Sequence, residues 1–534
     1  MPTKHSFARN TVIVSVIFAV SNILGLIRES SIAYMFGASG ITDAYLIAMI
    51  IPSLFIGTIS TAFAGPFITV YGSYIAKGEN DKAWQMCNTI ISFFIIFFSI
   101  LFIILFVFTS SFVHLVAPTY SGEIMILTVN LTRMLLPTVI FSSLLSILIG
   151  INNANHSFIA PASNGLISNI LIILSIYSLG ILWGVYGLVA GVTLGVLAQF
   201  LLQSLSARKC GLRYKFNMDL RDQGIRQVLT LIPPFVFSAA IAQINLLVDR
   251  TLATRLPAGA VSALYFSNKL VSLPNSILAG AVAMVALPTL IKAASTSNWV
   301  SLVEAMVKAI RLILFVILPA AMGIYVLRVP LVQILFQHGA FTINDTHLTA
   351  STVSYMLGTL VFGSIVSLMG NVYLATRKVL PAVIMATFAL VVNILLSLIL
   401  VQYMQQRGLA LANTISAFVN LILQFSGLFS VLKLHEKTDI PIKAFSLFVI
   451  KVIVSSVTMG IVVYLVNNYL EFTIIGKSII SKVCISIVLG VLSYLFMTLV
   501  FKLKEADDVV GLVLNRIKIF VTTKVMRKTR RNDS

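Results

Sequence analysis

Long apolar stretches recur along this chain and are separated by short polar breaks. A helix that crosses a membrane needs roughly 20 mostly apolar residues, and fourteen stretches are long enough. Six of them lie in the first half, near 10–27, 44–75, 85–117, 125–150, 159–180 and 183–205. Six more lie near 228–248, 261–291, 307–327, 350–375, 379–403 and 408–432, and two follow near 444–468 and 478–501. The pattern predicts an all-α polytopic membrane protein with about fourteen transmembrane helices.

Polar and proline positions of the first half recur in the second. An arginine is followed after 24 residues by a proline, and after a further 14 residues by another proline, in both halves. The pairs at offsets of 220–222 are Arg28 and Arg250, Pro52 and Pro274, Pro66 and Pro288, Pro161 and Pro381, and Gly187 and Gly408. Apolar sequence produces chance matches, but five pairs in the same order favour a true duplication. Halves of six spans each are parallel repeats, related by an axis along the membrane normal.

The duplication predicts how the chain is organised. We expect an N-terminal six-helix lobe at 1–205, a cytoplasmic linker at 206–225, a C-terminal six-helix lobe at 226–435, two additional transmembrane helices at 436–502 and a basic cytoplasmic tail at 503–534. The first apolar stretch lacks a small-residue cleavage site, which indicates a retained span and not a signal peptide.

Composition and charge support a membrane protein. The chain is 58% hydrophobic and 10% charged, whereas soluble domains carry about 25% charged residues. A net charge of +20 would suggest nucleic-acid binding in a soluble protein. Here the basic residues concentrate in alternate loops and in the tail, as the positive-inside rule describes. We therefore expect both termini in the cytoplasm, no nucleic-acid partner, and a tail that contacts anionic membrane lipids.

Known signatures of catalysis and metal binding do not occur in this sequence. The three cysteines, Cys87, Cys210 and Cys484, are scattered and form no CxxC pair, so neither a disulfide framework nor a zinc site is expected. There is no GxxxxGK[ST] phosphate-binding loop. The sequence predicts a protein that is not an enzyme and has no cofactor, and whose transport work depends on sodium, protons or the membrane potential.

Charged residues within or beside the spans are the candidate binding groups. A charge near the membrane centre costs about 2.5–3.5 kcal/mol on insertion scales, so it needs a cavity or a partner. Arg28 with Glu29 ends the predicted first span, and Asp249 with Arg250 ends the seventh. Lys269 lies inside the eighth span. Arginine suits phosphate because its guanidinium donates parallel hydrogen bonds. The alternative is that the two arginine–carboxylate pairs reach the headgroups at the interface.

Prolines at matched positions are candidate hinges. Pro52, Pro66, Pro274 and Pro288 each remove a backbone donor from their helix. Broken helices are tolerated in membranes where they face protein or water. One interpretation is a movable kink that serves transport, and the other is simple curvature for packing.

Three segments resemble one family of transporters. They are NILGLIRESSIAYMFGASGITDAYLIAMIIPSLF at 22–55, INLLVDRTLATRLPAGAVSALYFSNKLVSLPNSILAGAVAMVALPTL at 244–290 and ILFQHGAFTINDT at 334–346. The sequence is similar here to the MurJ (MviN) lipid II flippases of the multidrug/oligosaccharidyl-lipid/polysaccharide superfamily. The similarity covers most of residues 10–435, and two added C-terminal spans also suit the family.

The resemblance implies a fourteen-helix flippase with a central cationic cavity in the bacterial cytoplasmic membrane. Such a protein moves an undecaprenyl-pyrophosphate-linked saccharide from the inner to the outer leaflet by alternating access, with membrane lipids and cell-wall synthesis proteins as partners. The resemblance aligns Arg28 with a position where the family has an arginine in its cavity. Glu29 replaces the usual aspartate, and Lys269 replaces the usual arginine. Asp249 resembles an acidic position linked to sodium binding in some members.

Two positions at which this sequence departs from the family leave two alternatives for the identity of the transported cargo. Many members carry arginine where this chain has Asn22 and Ile56, so the implied cavity is less cationic. Lipid II is the first-choice cargo, and the alternative is another lipid-linked unit for capsule, exopolysaccharide or teichoic-type polymer. A cation-coupled drug exporter would favour an apolar or acidic cavity. A membrane scaffold would favour a long cytoplasmic domain.

Overall fold

The structure is a computed structural model that describes residues 4–219, 223–430, 442–471 and 478–506. Every regular element in these ranges is helical. The first eleven helices are α1 Lys4–Phe36, α2 Gly40–Ala48, α3 Ile50–Ala76, α4 Asn80–Val107, α5 Thr109–Val116, α6 Gly122–Leu135, α7 Pro137–Ala154, α8 Ile159–Ala162, α9 Asn164–Tyr177, α10 Leu179–Trp183 and α11 Val185–Lys209. The others are α12 Gln223–Ala253, α13 Ala260–Pro274, α14 Gly280–Ser295, α15 Trp299–Phe336, α16 Ile343–Ala375, α17 Val379–Met404, α18 Gln406–Ser430, α19 Ile442–Glu471 and α20 Ile479–Val500.

Helices long and apolar enough to cross a membrane occur throughout the described residues. Thirteen candidate spans meet length and composition together. The predicted seventh span corresponds to α12, a further helix of 31 residues. The prediction of an all-α protein with about fourteen spans is therefore confirmed. The predicted basic tail lies outside the described residues from position 507 onward.

One predicted boundary is wrong in a way that matters for the binding groups. The sequence predicts that the first span ends near Arg28, but α1 continues for two more turns to Phe36. Burial explains the difference, since Ile32 and Ala33 are almost fully buried and keep the helix packed beyond the charges. Arg28 and Glu29 therefore lie inside a helix and not at its end.

The described chain divides into two compact units. The first comprises Met1–Phe266, Leu335–Thr349 and Leu390–Ala412, and the second comprises Ser267–Ile334, Ala350–Ala389 and Asn413–Ser534. These units are defined by packing and not by sequence repeats. The predicted six-helix lobes and linker boundaries therefore stay a prediction.

An aromatic core joins α3 and α4 in the first unit. Phe63, Phe67 and Tyr71 follow one another along α3 at intervals of one turn, with ring centroids 6.0 and 5.6 Å apart. Phe94 of α4 packs on Phe63 with ring centroids 4.6 Å apart. Residues four apart lie on one face of a helix, so the spacing places these rings in one stack. All four side chains are buried, and the stack fixes α3 beside α4.

The C-terminal helices of the second unit are tied to α15 by polar contacts. The Tyr494 hydroxyl of α20 donates to the Phe315 carbonyl of α15 at 2.6 Å. Beyond α20, Glu505 pairs with Arg311 of α15 at 2.6 Å, and Phe448 of α19 stacks below that guanidinium at 4.4 Å. These contacts hold the end of α20 against two other helices.

The four predicted hinge prolines fall into two kinds of position. Pro52 lies in the first turn of α3. Because proline has no backbone N–H, the carbonyl of Ala48, four residues earlier, lacks its usual helical partner, and α2 ends at that residue. Pro274 ends α13 and is followed by a π-helical segment, Asn275–Ala279. Pro66 and Pro288 lie within continuous helices. Their movement during transport stays a prediction.

The π-helical segment carries one extra residue in its turn. The Gly280 N–H donates to the carbonyl of Asn275, five residues earlier, where an α-helix would reach back four. The Asn275 side chain accepts a hydrogen bond from the Ser364 hydroxyl of α16 at 3.0 Å. The segment is thus fixed by a neighbouring helix within the second unit.

Candidate functional site

Arg28 and Glu29 form the centre of a polar network in the first unit. The Arg28 guanidinium donates through Nη2 to Glu29 Oε1 at 2.5 Å and through Nη1 to the Asn169 side-chain oxygen at 2.9 Å. Asn169, in α9, donates back to the Ser21 carbonyl of α1 at 2.9 Å. Glu29 is only 2% exposed. A buried ion pair of this kind needs such additional hydrogen bonds to be stable.

Tyr265 connects this pair to the second predicted arginine. Its hydroxyl donates to Glu29 Oε1 at 2.9 Å, so one carboxylate oxygen accepts from both Tyr265 and Arg28. The Arg250 guanidinium lies over the Tyr265 ring, 5.9 Å from its centroid, which is within the range of a cation–π contact. Arg28, Glu29 and Arg250 are thereby brought together around one tyrosine.

A broken helix explains the position of Arg250. Its Nη1 donates to the Leu46 carbonyl at 2.5 Å, in the last turn of α2. Carbonyls in the last turn of a helix lack intrahelical donors and carry partial negative charge. Because α2 ends at Ala48, the Leu46 carbonyl lies in its last turn and accepts from the Arg250 cation. Arg250 of α12 is thereby joined to the end of α2 within the first unit.

The remaining predicted residues lie at defined places, and their functions stay predictions. Asp249 is half-buried in the last turns of α12, directly before Arg250. Lys269 belongs to the second unit, where it is half-buried in α13 and precedes Pro274 by five residues. Among the described residues there is no cluster of three or more His, Cys, Asp or Glu side chains that could hold a metal ion.

Asp43 anchors the start of α13 in the same unit. Its carboxylate accepts from the Gly259 N–H at 2.7 Å, the Ser262 N–H at 2.8 Å and the Ser262 hydroxyl at 2.5 Å. The first N–H groups of a helix have no intrahelical acceptor and favour an anion. Asp43 is 3% exposed. From its place in α2 it caps the start of α13, and it is separated from Ser262 by 219 positions in the sequence.

Glycines allow three loops to meet near this cap. The Ala340 N–H donates to the Tyr34 carbonyl at 2.8 Å, which joins the loop before α16 to the end of α1. Gly37, Gly259 and Gly339 all have positive φ, and a Cβ at each would collide with a carbonyl oxygen of another loop. Only glycine permits this backbone contact. The ends of α1, α12 and α15 are therefore held closely at this side of the first unit.

Sequence reasoning did not identify Asn169, Tyr265 or Asp43. Asn169 and Tyr265 are neutral, and tyrosine and asparagine occur widely in transmembrane helices, so neither stands out without contacts. Asp43 lies one residue before the predicted second span, near 44–75, and is therefore not among the predicted charges within the spans. A signal was nonetheless present, since Ser39 and Asp43 bracket the start of α2, where Ser39 is the N-cap and Asp43 lies in the first turn.

Comparison with known proteins places the chain in a family. The family model described as "Lipid II flippase MurJ" matches residues 32–482. The chain belongs to the MurJ lipid II flippase family. The resemblance seen in the sequence is thus confirmed over the two units and into α20.

Relatives of the MurJ family match nearly end to end. The chain is 25% identical over 510 residues to the probable lipid II flippase MurJ of Rickettsia prowazekii (strain Madrid E), covering 94% of this chain and 99% of that protein. It is 26% identical over 466 residues to the probable lipid II flippase MurJ of Buchnera aphidicola subsp. Baizongia pistaciae (strain Bp), covering 86% and 90%.

Solved structures agree with the family. A lipid II flippase MurJ in an inward closed conformation matches with a TM-score of 0.78 and 26% identity over 92% of this chain and 98% of that one. An inward-facing multidrug resistance MATE family transporter of the MOP superfamily matches with a TM-score of 0.66 and 17% identity, over 79% of this chain and 99% of that one. The second likeness shows a shared fold only.

Proposed function

We propose that this chain is a flippase that moves lipid II from the inner to the outer leaflet of the bacterial cytoplasmic membrane. Family membership supports the cargo, and the network of Arg28, Glu29, Tyr265 and Arg250 is the observation that carries the mechanism. The protein acts as a transporter and not as an enzyme. Its cargo is a lipid-linked saccharide whose pyrophosphate is the recognised anion.

The network would bind a diphosphate by exchange of partners. Arg28 now directs two of its nitrogen atoms to Glu29 and Asn169, and a guanidinium has five N–H donors in a fixed plane. A phosphate that displaces Glu29 from Arg28 would leave the carboxylate with its Tyr265 hydrogen bond. Charge-assisted bonds are roughly twice as strong as neutral ones, so the exchange favours a doubly charged headgroup over a neutral sugar.

Direction and coupling complete the proposal. Basic loops and tail favour cytoplasmic termini, and the inner-to-outer direction of transport is the one proposed for the cargo. Asp249 is the candidate ion site, and sodium, protons or the membrane potential would supply the driving force. A cation held at Asp249 would lie beside Arg250 and would alter its attraction for phosphate.

A second cargo follows from two neutral positions. Asn22 and Ile56 stand where many family members have arginine, and both side chains are uncharged. A lipid-linked unit of another surface polymer shares the pyrophosphate and would use the same network. Depletion in the native cell separates the two, because accumulated lipid II with lysis indicates peptidoglycan, whereas loss of another polymer with normal growth indicates the second cargo.

The test of the network uses purified protein in vesicles with lipid II in one leaflet. We expect Arg28→Gln to reduce flipping by about 10- to 150-fold, since loss of charge-assisted bonds costs about 1.5–3 kcal/mol. Arg28→Lys should retain part of the activity. The control is Arg255→Gln, which removes the same charge from an exposed loop residue after α12. Flipping by Arg28→Gln at the parent rate would reject the proposed role of Arg28.

A further inference from the structure

Residues 212–219, which we call the α4 strap, follow α11 without regular secondary structure. The strap lies along α4. The Asn88 side chain donates to the Arg213 carbonyl at 3.3 Å. The Ser92 hydroxyl lies 3.1 Å from the Tyr214 hydroxyl and accepts from the Asn217 N–H at 3.2 Å. The strap is therefore hydrogen-bonded to two successive turns of one helix.

Buried polar groups on α4 explain why the strap stays in place. Asn88 and Ser92 are 8% and 0% exposed, in a helix that is otherwise strongly apolar. A buried amide or hydroxyl without a partner costs about 1–3 kcal/mol, and the strap supplies the partners. Leu212, 7% exposed, adds apolar packing where the strap begins.

The exposed residues of the strap are aromatic, apolar and basic, and Tyr214 is partly exposed although its hydroxyl contacts Ser92. Tyr214, Phe216 and Met218 are 48%, 69% and 40% exposed. They alternate with Arg213 and Lys215, which are also exposed. In the residues that the structure describes, neither basic side chain forms an ion pair.

Charge around the strap is strongly biased. Between Arg208 and Arg226 the sequence has six basic residues and two acidic ones, Asp219 and Asp222. Asp219 belongs to the strap itself and is exposed. A fixed segment with exposed aromatic side chains beside unpaired cations has the composition of a membrane-interface anchor.

The length of α4 places the strap at the membrane surface. Its 28 residues span roughly 42 Å at 1.5 Å per residue, which exceeds the roughly 30 Å of hydrocarbon. Because Asn80, Asp81 and Lys82 begin α4 and its other end is apolar, its first turns are the part that extends into the headgroup layer. Trp84, a residue type enriched at that depth, lies in these turns, and a Cβ on Gly211 would contact its ring at 3.4 Å. The strap begins beside this tryptophan.

We propose that the α4 strap is a binding site for an anionic phospholipid. Arg213 and Lys215 contact the lipid phosphate, while Tyr214, Phe216 and Met218 enter the boundary between headgroups and acyl chains. The site selects a net negative headgroup, since a zwitterionic lipid carries its own cation beside the phosphate. The inference needs only that this end of α4 meets a lipid surface, and it does not depend on the flipped cargo.

Trp84 provides a local reporter. The chain has three tryptophans, Trp84, Trp183 and Trp299, so Trp183→Phe with Trp299→Phe leaves one beside the strap. This full-length protein is placed in phosphatidylcholine bilayers containing brominated phosphatidylglycerol, or brominated phosphatidylcholine as the reference quencher. The two quenching curves give the affinity of the anionic lipid relative to the zwitterionic one near Trp84. We expect a ratio of roughly ten, because each basic residue near the surface strengthens binding several-fold.

Two variants decide the outcome. Arg213→Gln with Lys215→Gln should bring the ratio close to one. The matched control, Lys292→Gln with Lys308→Gln, removes two exposed lysines from the second unit and should leave the ratio unchanged. A ratio near one in the parent, or an equal decrease in both variants, would overturn the site. Because all four side chains are exposed, size-exclusion profiles should match the parent.

Discussion

Asp43 offers the sharpest test of how the first unit is held together. The carboxylate accepts three hydrogen bonds from the start of α13, two on Oδ1 from Ser262 and one on Oδ2 from Gly259. Asp43→Asn keeps the size of the side chain. Its amide oxygen can still accept from Ser262, but its NH₂ group then faces the Gly259 N–H across the 2.7 Å contact. One acceptor becomes a donor in a buried site.

The cost can be worked out from these three bonds. A hydrogen bond to a charged group contributes about 1.5–3 kcal/mol, and the substitution removes one such bond and the charge behind the other two. Local opening of residues 254–262 should therefore become easier by at least that amount. Since 1.4 kcal/mol corresponds to a factor of ten, amide exchange there should accelerate by about 10- to 150-fold.

Hydrogen–deuterium exchange of the purified protein measures this directly, because exchange reports local opening. The control is Asp345→Asn, which makes the same chemical change at a half-buried carboxylate whose hydrogen bond from the Thr342 N–H, 2.8 Å long, is exposed to solvent. We expect a much smaller change there, since solvent replaces the lost bond. If peptides covering residues 254–262 exchange at the parent rate in Asp43→Asn, the cap does not hold α13.

Two further predictions concern packing. Gly259→Ala should lower the unfolding temperature more than Gly78→Ala, because both have positive φ but only the Cβ at 259 would collide with the Ala38 carbonyl; equal shifts would count against the glycine contact. Arg311→Gln should lower the free energy of unfolding of the second unit by about 2–3 kcal/mol. This is less than the cost of breaking a fully buried ion pair, because the Arg311 side chain is 28% exposed. Adding Glu505→Gln should recover part of the loss in thermal unfolding, and no recovery would show that the pair is not coupled.

The sequence predicted the helices well because hydropathy reports membrane burial directly. Its errors occurred where tertiary packing extends a helix beyond its apolar segment. Phe36, and not Arg28, ends α1 because the residues after the charge are buried against other helices. The helix α11 also extends to Lys209, past position 206 where the predicted linker begins, and the linker boundaries themselves stay a prediction.

The candidate site was only half visible in the sequence. Arg28 and Arg250 were identified because charge is rare and costly in a span, and duplication suggested their pairing. Asn169 accepts a hydrogen bond from Arg28, and Tyr265 donates one to Glu29 while its ring lies 5.9 Å from the Arg250 guanidinium. Both side chains are neutral, so no charge singles them out in the sequence. Their importance comes from contacts 141 and 236 residues apart, which a single sequence does not encode in any local pattern.

The extra residue at Asn275–Ala279 changes how this region should be engineered. Each residue turns a helix by about 100°, so a helical wheel drawn continuously from Ala260 to Ser295 assigns the wrong side to every position after Ala279. Cysteine or spin-label pairs chosen from such a wheel would point away from their intended targets. Deleting one residue between 275 and 279 would restore an ordinary α-helix and rotate α14 about its axis relative to α13. Such a deletion tests whether the side of α14 that now faces each neighbour matters.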